Sequence, residues 1–194
     1  MAHVVVFDLE FTAWPGSMEH RWLRPGEYRE VVQIGAVKVE TAGFNEVATF
    51  NALAKPRLNP HLSRYFETLT GVTNVTLARD GVDFDEAYRA FVAFADGTQI
   101  CAYGRDDLVL GDNLKLYGLR TMPPLPPYTN IVPWLVDQGI DPRGLHACDI
   151  ASATGADFDG RRHDALDDAR SVALGIATLV ARGAPNPFAS ALTA

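Results

Sequence analysis

Two carboxylates, Asp8 and Glu10, follow directly on the apolar run Val4-Val5-Val6-Phe7. In an extended chain, residues two apart point to the same side, which puts these acids about 6–7 Å apart on one face. Like charges at the end of a buried strand are costly unless something positive lies between them, and a divalent cation with hard oxygen ligands is the usual solution. Near the other end of the sequence, DGRRHDALDDAR (Asp159–Arg170) places His163 five positions before Asp168. An imidazole with a reference pKa of about 6.5 can take a proton from water near neutrality. A third acidic place, Asp106-Asp107, follows the apolar stretch TQICAY (Thr98–Tyr103), with Asp112 close behind. Carboxylates able to hold cations beside a histidine able to accept a proton point to metal-assisted hydrolysis. Each piece alone also fits something plainer: a strand emerging into solvent, or an acidic helix start with an exposed histidine in front.

The elements that must position these groups can be read in order. The β-branched run Val4–Phe7 reads as a strand buried on both faces. Residues 12–30 form a loop marked by Trp14-Pro15-Gly16 and Arg24-Pro25-Gly26, and strands follow over 30–40 and 46–54 with a turn between them. Short helices are expected over 62–69 and 73–78. A stronger one opens at Asp83, with Glu86 three residues on as in a capping box and Phe84, Ala87, Tyr88, Phe91 and Phe94 as its apolar stripe. Residues 98–103 form the next strand, and MPPLPP (122–127) an extended connector. A helix is expected over 143–154. The last begins at about Asp164 and runs on through Val172, Ile176 and Leu179, with Asp164, Asp167 and Asp168 at its dipole-favoured first turn. Strands in hairpin order followed by helices define an α/β domain with a central mixed sheet flanked by helices.

The 194 residues suffice for a single domain with its own core, taken as residues 3–183 with 184–194 as a C-terminal tail. Seventeen basic against twenty-four acidic residues, a net charge of −7, argue against a broad nucleic-acid-binding face. They leave room for a narrow site whose acids hold cations. Basic candidates near that site are dispersed: Arg64, Arg105, Lys115, Arg161 and Arg162. No apolar run nears the ~20 residues that span a bilayer, and neither a leader pattern nor a membrane partner is expected. The two cysteines, Cys101 and Cys148, read as buried free thiols of a reducing cytosol, so the expected location is cytoplasmic.

Taken together, these features resemble the DEDDh 3′–5′ exonucleases, which have an RNase H-like fold. The likeness covers nearly the whole sequence and is closest to the Eri-type and KapD-like RNA exonucleases. Besides the acids it is carried by FDLEFT (7–12), EVVQIGAV (30–37), LNPHLSRYFETLTGVT (58–73), YGRDDL (103–108) and, most specifically, GRRHDALDDARSVA (160–173). The resemblance implies that Asp8, Glu10, Asp107 and Asp168 hold two Mg²⁺ or Mn²⁺ ions, with His163 as general base. Asp107 is preferred to Asp106 and Asp112 because Gly104-x-x-Asp107-Leu108 matches the Eri-type pattern. It further implies that Leu9 and Thr12 contact the terminal nucleotide. Phe11 fits that role and a core position equally. His3, His20, His61 and His146 have no partner pattern and read as structural or surface residues.

The function implied is release of nucleoside 5′-monophosphates from the 3′ end of short single-stranded RNA. Two metals ~3.5–4 Å apart can serve the attacking and leaving oxygens of such a reaction. A proofreading-type DNA exonuclease would use the same five residues, and a non-catalytic nucleic-acid-binding adaptor would keep the fold alone. The oligomeric state is left open, a homodimer included.

Overall fold

The computed structural model describes residues 2–189. Three strands come first: β1 (His3–Phe11), β2 (Val31–Glu40) and β3 (Glu46–Lys55). They are joined antiparallel, β1 to β2 and β2 to β3. Helices α1 (Arg64–Thr70) and α2 (Asn74–Asp80) lead to the two-residue β4 (Val82–Asp83) and then to α3 (Phe84–Ala95). The remaining elements are β5 (Ile100–Ala102), α4 (Asp106–Leu116), β6 (Tyr128–Asn130), α5 (Val132–Asp137), a 3-10 turn (Ala147–Asp149) running into α6 (Ile150–Ala153), and α7 (Ala165–Ala181). The sheet order is β4-β3-β2-β1-β5-β6, with β5 parallel to β1 and β6 parallel to β5. This is the mixed sheet flanked by helices that the sequence implies.

β1 is central and has two apolar faces. Val5, Phe7 and Leu9 pack with Phe84, Tyr88 and Phe91 of α3 and Val109 and Leu110 of α4. Val4 and Val6 pack with Ile150, Val172 and Ile176, from the α6–α7 side. Alternation carries the second face on to Asp8 and Glu10, so the two acids continue the stripe that α7 covers.

Helix α7 can come close because β2 has no side chain at Gly35, the residue paired with Asp8. A Cβ there would lie 2.1 Å from the Leu166 backbone nitrogen and 2.2 Å from the Ala165 carbonyl carbon. Gln33, one turn of the pleat away, fixes the same helix end: its amide donates to Asp164 Oδ2 (3.2 Å) and accepts from Ala165 N (3.2 Å). Asp164 in turn caps the helix by accepting from Leu166 N and Asp167 N. Gly35→Ala is therefore expected to push α7 off the sheet, because the atoms it meets are backbone and cannot rotate away. The expected cost is about 1–3 kcal/mol or more, read as a lowered midpoint in thermal denaturation, with loss of activity. An unchanged melting temperature would show that the two elements are not so tightly joined.

Three expectations need correcting, and one strand is added. The capping box at α3 does not form: Asp83 makes no side-chain cap bond, because it belongs to β4 and its backbone is paired with Lys55. The stretch 143–154 is no continuous helix but a loop, the 3-10 turn and the four-residue α6, after a chain reversal at Gly144 (φ +76°). Residues 128–130, just past the proline-rich connector, add an edge strand. The core also runs beyond residue 183: Phe188 is buried, Trp134 Nε1 donates to Pro185 O (3.0 Å), and Asn186 Nδ2 donates to Thr41 O (2.7 Å). The rest of the expected tail, 190–194, lies outside the described residues. Among the described residues no helix is long and apolar enough to cross a membrane.

Candidate active site

A cleft of about 530 Å³ opens where β1 and β5 end and α7 begins. Asp8, Glu10, Asp106, His163 and Asp168 all line it. Asp8, Glu10 and Asp168 are buried, and ligand atoms of Glu10, His163 and Asp168 lie within 4.8 Å of one another. Burial, reinforced by the neighbouring Asp106, Glu10 and Asp168 charges, holds the Asp8 carboxyl well above the usual range. Glu10 is raised in the same way, by burial first and then by Asp168, Asp164 and Asp106. Burial likewise pushes Asp106 and Asp168 up to about 7. None of the four carboxylates makes a salt bridge among the described residues. Oδ1 of Asp168 is buried with no hydrogen-bond partner. A group of mutually repelling acids with an orphaned oxygen, and with no directly paired cation among the described residues, fits a bound cation.

The third acid in the cleft is Asp106, and the expectation of Asp107 is corrected. α4 starts at Asp106, and its buried residues Val109, Leu110 and Asn113 lie three, four and seven positions on. Asp106 thus shares their inward stripe, and Asp107 is turned about 100° away. There it faces Arg105 in a two-pronged pair, Nε–Oδ1 2.9 Å and NH2–Oδ2 2.9 Å, which holds its carboxyl below the usual range. Asp112 is exposed and pairs with Lys115 and Arg29.

Leu9 lines the cleft and so does Phe11, whose ring meets that of Trp22 edge-on at 5.3 Å. Thr12 does not line it. Its hydroxyl is buried, donating to Tyr28 O and accepting from Glu30 N (3.0 Å), so it ties together the two ends of loop 12–30. That loop supplies one wall through Trp14, Met18 and Trp22, and α1 adds Tyr65 and Leu69. The opposite wall contains His146, which the sequence offered only as a structural or surface residue. Its ring lies 5.7 Å from that of His163. No spacing signal joins the two; only the fold of residues 143–163 brings them together. Of the basic candidates, Arg162 pairs with Asp149, and Arg161 lies across Gly71 at the end of α1.

His163 is half buried and sits at φ +58°, an unusual conformation for a residue with a side chain. Burial, with the nearby His146 and Arg162, lowers its pKa, so near neutrality the ring is uncharged and able to accept a proton.

The sequence matches the RNase_T exonuclease family over residues 5–174. It is 26% identical over 201 residues to the mouse (Mus musculus) protein ERI1 exoribonuclease 2, an alignment covering 89% of this chain and 28% of that protein. In structure it is similar to the nuclease domain of 3′hExo, a DEDDh family member bound to rAMP, with a TM-score of 0.78, 22% identity and coverage of 94% and 93% of the two chains. It also resembles E. coli Exonuclease I in complex with a dA16 oligonucleotide, with a TM-score of 0.63, 15% identity and coverage of 94% of this chain and 41% of that one. Fold and site together define a nucleic-acid 3′-exonuclease domain. The chain belongs to the RNase_T exonuclease family.

Proposed function

We propose that this domain shortens single-stranded RNA from its 3′ end, releasing nucleoside 5′-monophosphates. The observation that carries this reading is the cleft in which Asp8, Glu10, Asp106 and Asp168, none in a salt bridge among the described residues, face His163. The four carboxylates would hold two divalent ions, Mg²⁺ or Mn²⁺. When bound, such ions neutralise the phosphate and stabilise the oxygens that enter and leave. Asp8 and Glu10 would hold that pair from β1 and Asp168 from α7, with Asp106 completing the set from the start of α4. His163 takes a proton from the attacking water at a ring nitrogen. As the water oxygen bonds to phosphorus, the bond to the 3′ oxygen of the preceding nucleotide breaks, and that oxygen leaves to be protonated as the new 3′ end. Leu9 and Phe11 hold the terminal nucleotide, a role Thr12 serves only by shaping loop 12–30. The mouse relative's designation as an exoribonuclease supports RNA as the substrate.

A DNA substrate is the second reading, favoured by the oligonucleotide held by the bacterial structural neighbour. The test is incubation with 5′-labelled RNA and DNA oligonucleotides, with and without Mn²⁺. A ladder shortening from the 3′ end of RNA, dependent on Mn²⁺, is the expected result; faster loss of DNA would reverse the preference. His163→Ala should lower turnover by ~10²–10⁴ while Mn²⁺ still binds by calorimetry. Wild-type turnover in that variant would remove His163 from the mechanism.

A further inference from the structure

His163 stands on an irregular loop, two residues before the first turn of α7, with its backbone in the left-handed region. No regular element fixes the direction of its ring. Contacts from the 146–149 segment do so. The His146 ring lies against it at 5.7 Å, the planes inclined at 68°, the edge-to-face arrangement that aromatic rings favour. Asp149 joins the two segments: its Oδ2 accepts from His146 N (3.0 Å), and its Oδ1 pairs with Arg162, the residue before His163. His146, Asp149, Arg162 and His163 are thus linked in a closed chain of contacts, of which the two histidines line the cleft.

We propose that His146 is a positioning residue, a ring-shaped rest against which the His163 imidazole is held pointing toward Asp8, Glu10 and Asp168. The proposal rests on the reading of His163 as the proton acceptor. A group fixed in this way acts on the rate of the chemical step and not on substrate affinity, because misdirecting a base by an ångström is costly while the substrate's own contacts are untouched. Its ring is what matters, so phenylalanine can replace it and an amide cannot.

The experiment is a double-mutant cycle on the full chain, with single-turnover and steady-state rates on a short RNA oligonucleotide in Mn²⁺. His146→Ala is expected to lower kcat by about ten- to a hundred-fold with KM changed less than about three-fold. His146→Phe should recover most of that loss, and His146→Gln should not. Combining His146→Ala with His163→Ala should be no slower than His163→Ala alone, because a rest has no effect once the ring it supports is gone. A double variant slower than His163→Ala by the full single-variant factor would overturn the proposal, as would a loss confined to KM or a failure of His146→Phe to recover rate while it remains folded by circular dichroism. Wild-type turnover in His163→Ala alone would instead strike at the base assignment and take the rest with it, an outcome read from a different variant.

Discussion

Asp106→Asn is expected to abolish exonuclease activity, lowering turnover by roughly three orders of magnitude or more, while Asp107→Asn stays within a few-fold of wild type. The first removes one of the charges proposed to hold cations in the cleft, which would supply several kcal/mol of transition-state stabilisation. The second breaks only an exposed pair with Arg105, an interaction of little consequence for stability. The two residues are adjacent, alike in chemistry and both in the first turn of α4. Their variants therefore differ in one respect, which side of the helix the carboxylate leaves from. Turnover of a labelled oligonucleotide and calorimetric titration with Mn²⁺ measure both. An inactive Asp107→Asn beside an active Asp106→Asn would mean that α4 begins in a different rotation from the one described.

Without metal, the domain should lose stability as the pH rises from about 5 to 7.5, and divalent ions should restore it. Asp106 and Asp168 titrate near 7 in the folded chain, against an ordinary 3.8, and Asp8 and Glu10 are raised as well. Between those limits the folded state keeps protons that the unfolded chain has released. Stability then falls with rising pH: it is greatest below the unfolded pKa and is lost as pH passes through the folded one. His163 runs the other way, since a lowered histidine pKa adds stability as pH rises toward 6.5 and no more above it, but it is one group against four. Asp107, Asp141 and Asp149, whose partners lower their pKa, lose their contribution only at still lower pH. The net effect is on the order of a few kcal/mol, roughly ten degrees of melting temperature for a domain of this size. Thermal scans in EDTA and in Mn²⁺ at pH 5, 6 and 7.5 test it. A melting temperature that rises with pH in EDTA, or that ignores Mn²⁺ at pH 7.5, would contradict it.

That Asp8, Glu10, His163 and Asp168 would share one cleft was legible in the sequence because their surroundings are regular: an apolar run ends at the first two, and a helix pattern begins just before the last. The choice between Asp106 and Asp107 was open to the same reasoning, had the phase of Val109, Leu110 and Asn113 been set against both acids in place of the family spacing. His146 was not legible, because its neighbour in space is seventeen residues away through a loop and a 3-10 turn that carry no periodicity. Thr12 was misread for a related reason. Its partners, Tyr28 and Glu30, close a loop whose path depends on hydrogen bonds and not on any alternation of apolar residues. The strand at 128–130 carries no alternation of its own and pairs along the edge of β5.

The dependence of α7 on Gly35 has a consequence during synthesis. Asp8 and Glu10 are synthesised well before α7, the helix that completes their site. Until it docks across β2, the acids have neither Asp168 nor His163 beside them. The cluster of acids is therefore completed only when α7 docks on the sheet, a long-range step that the preceding strands cannot take alone.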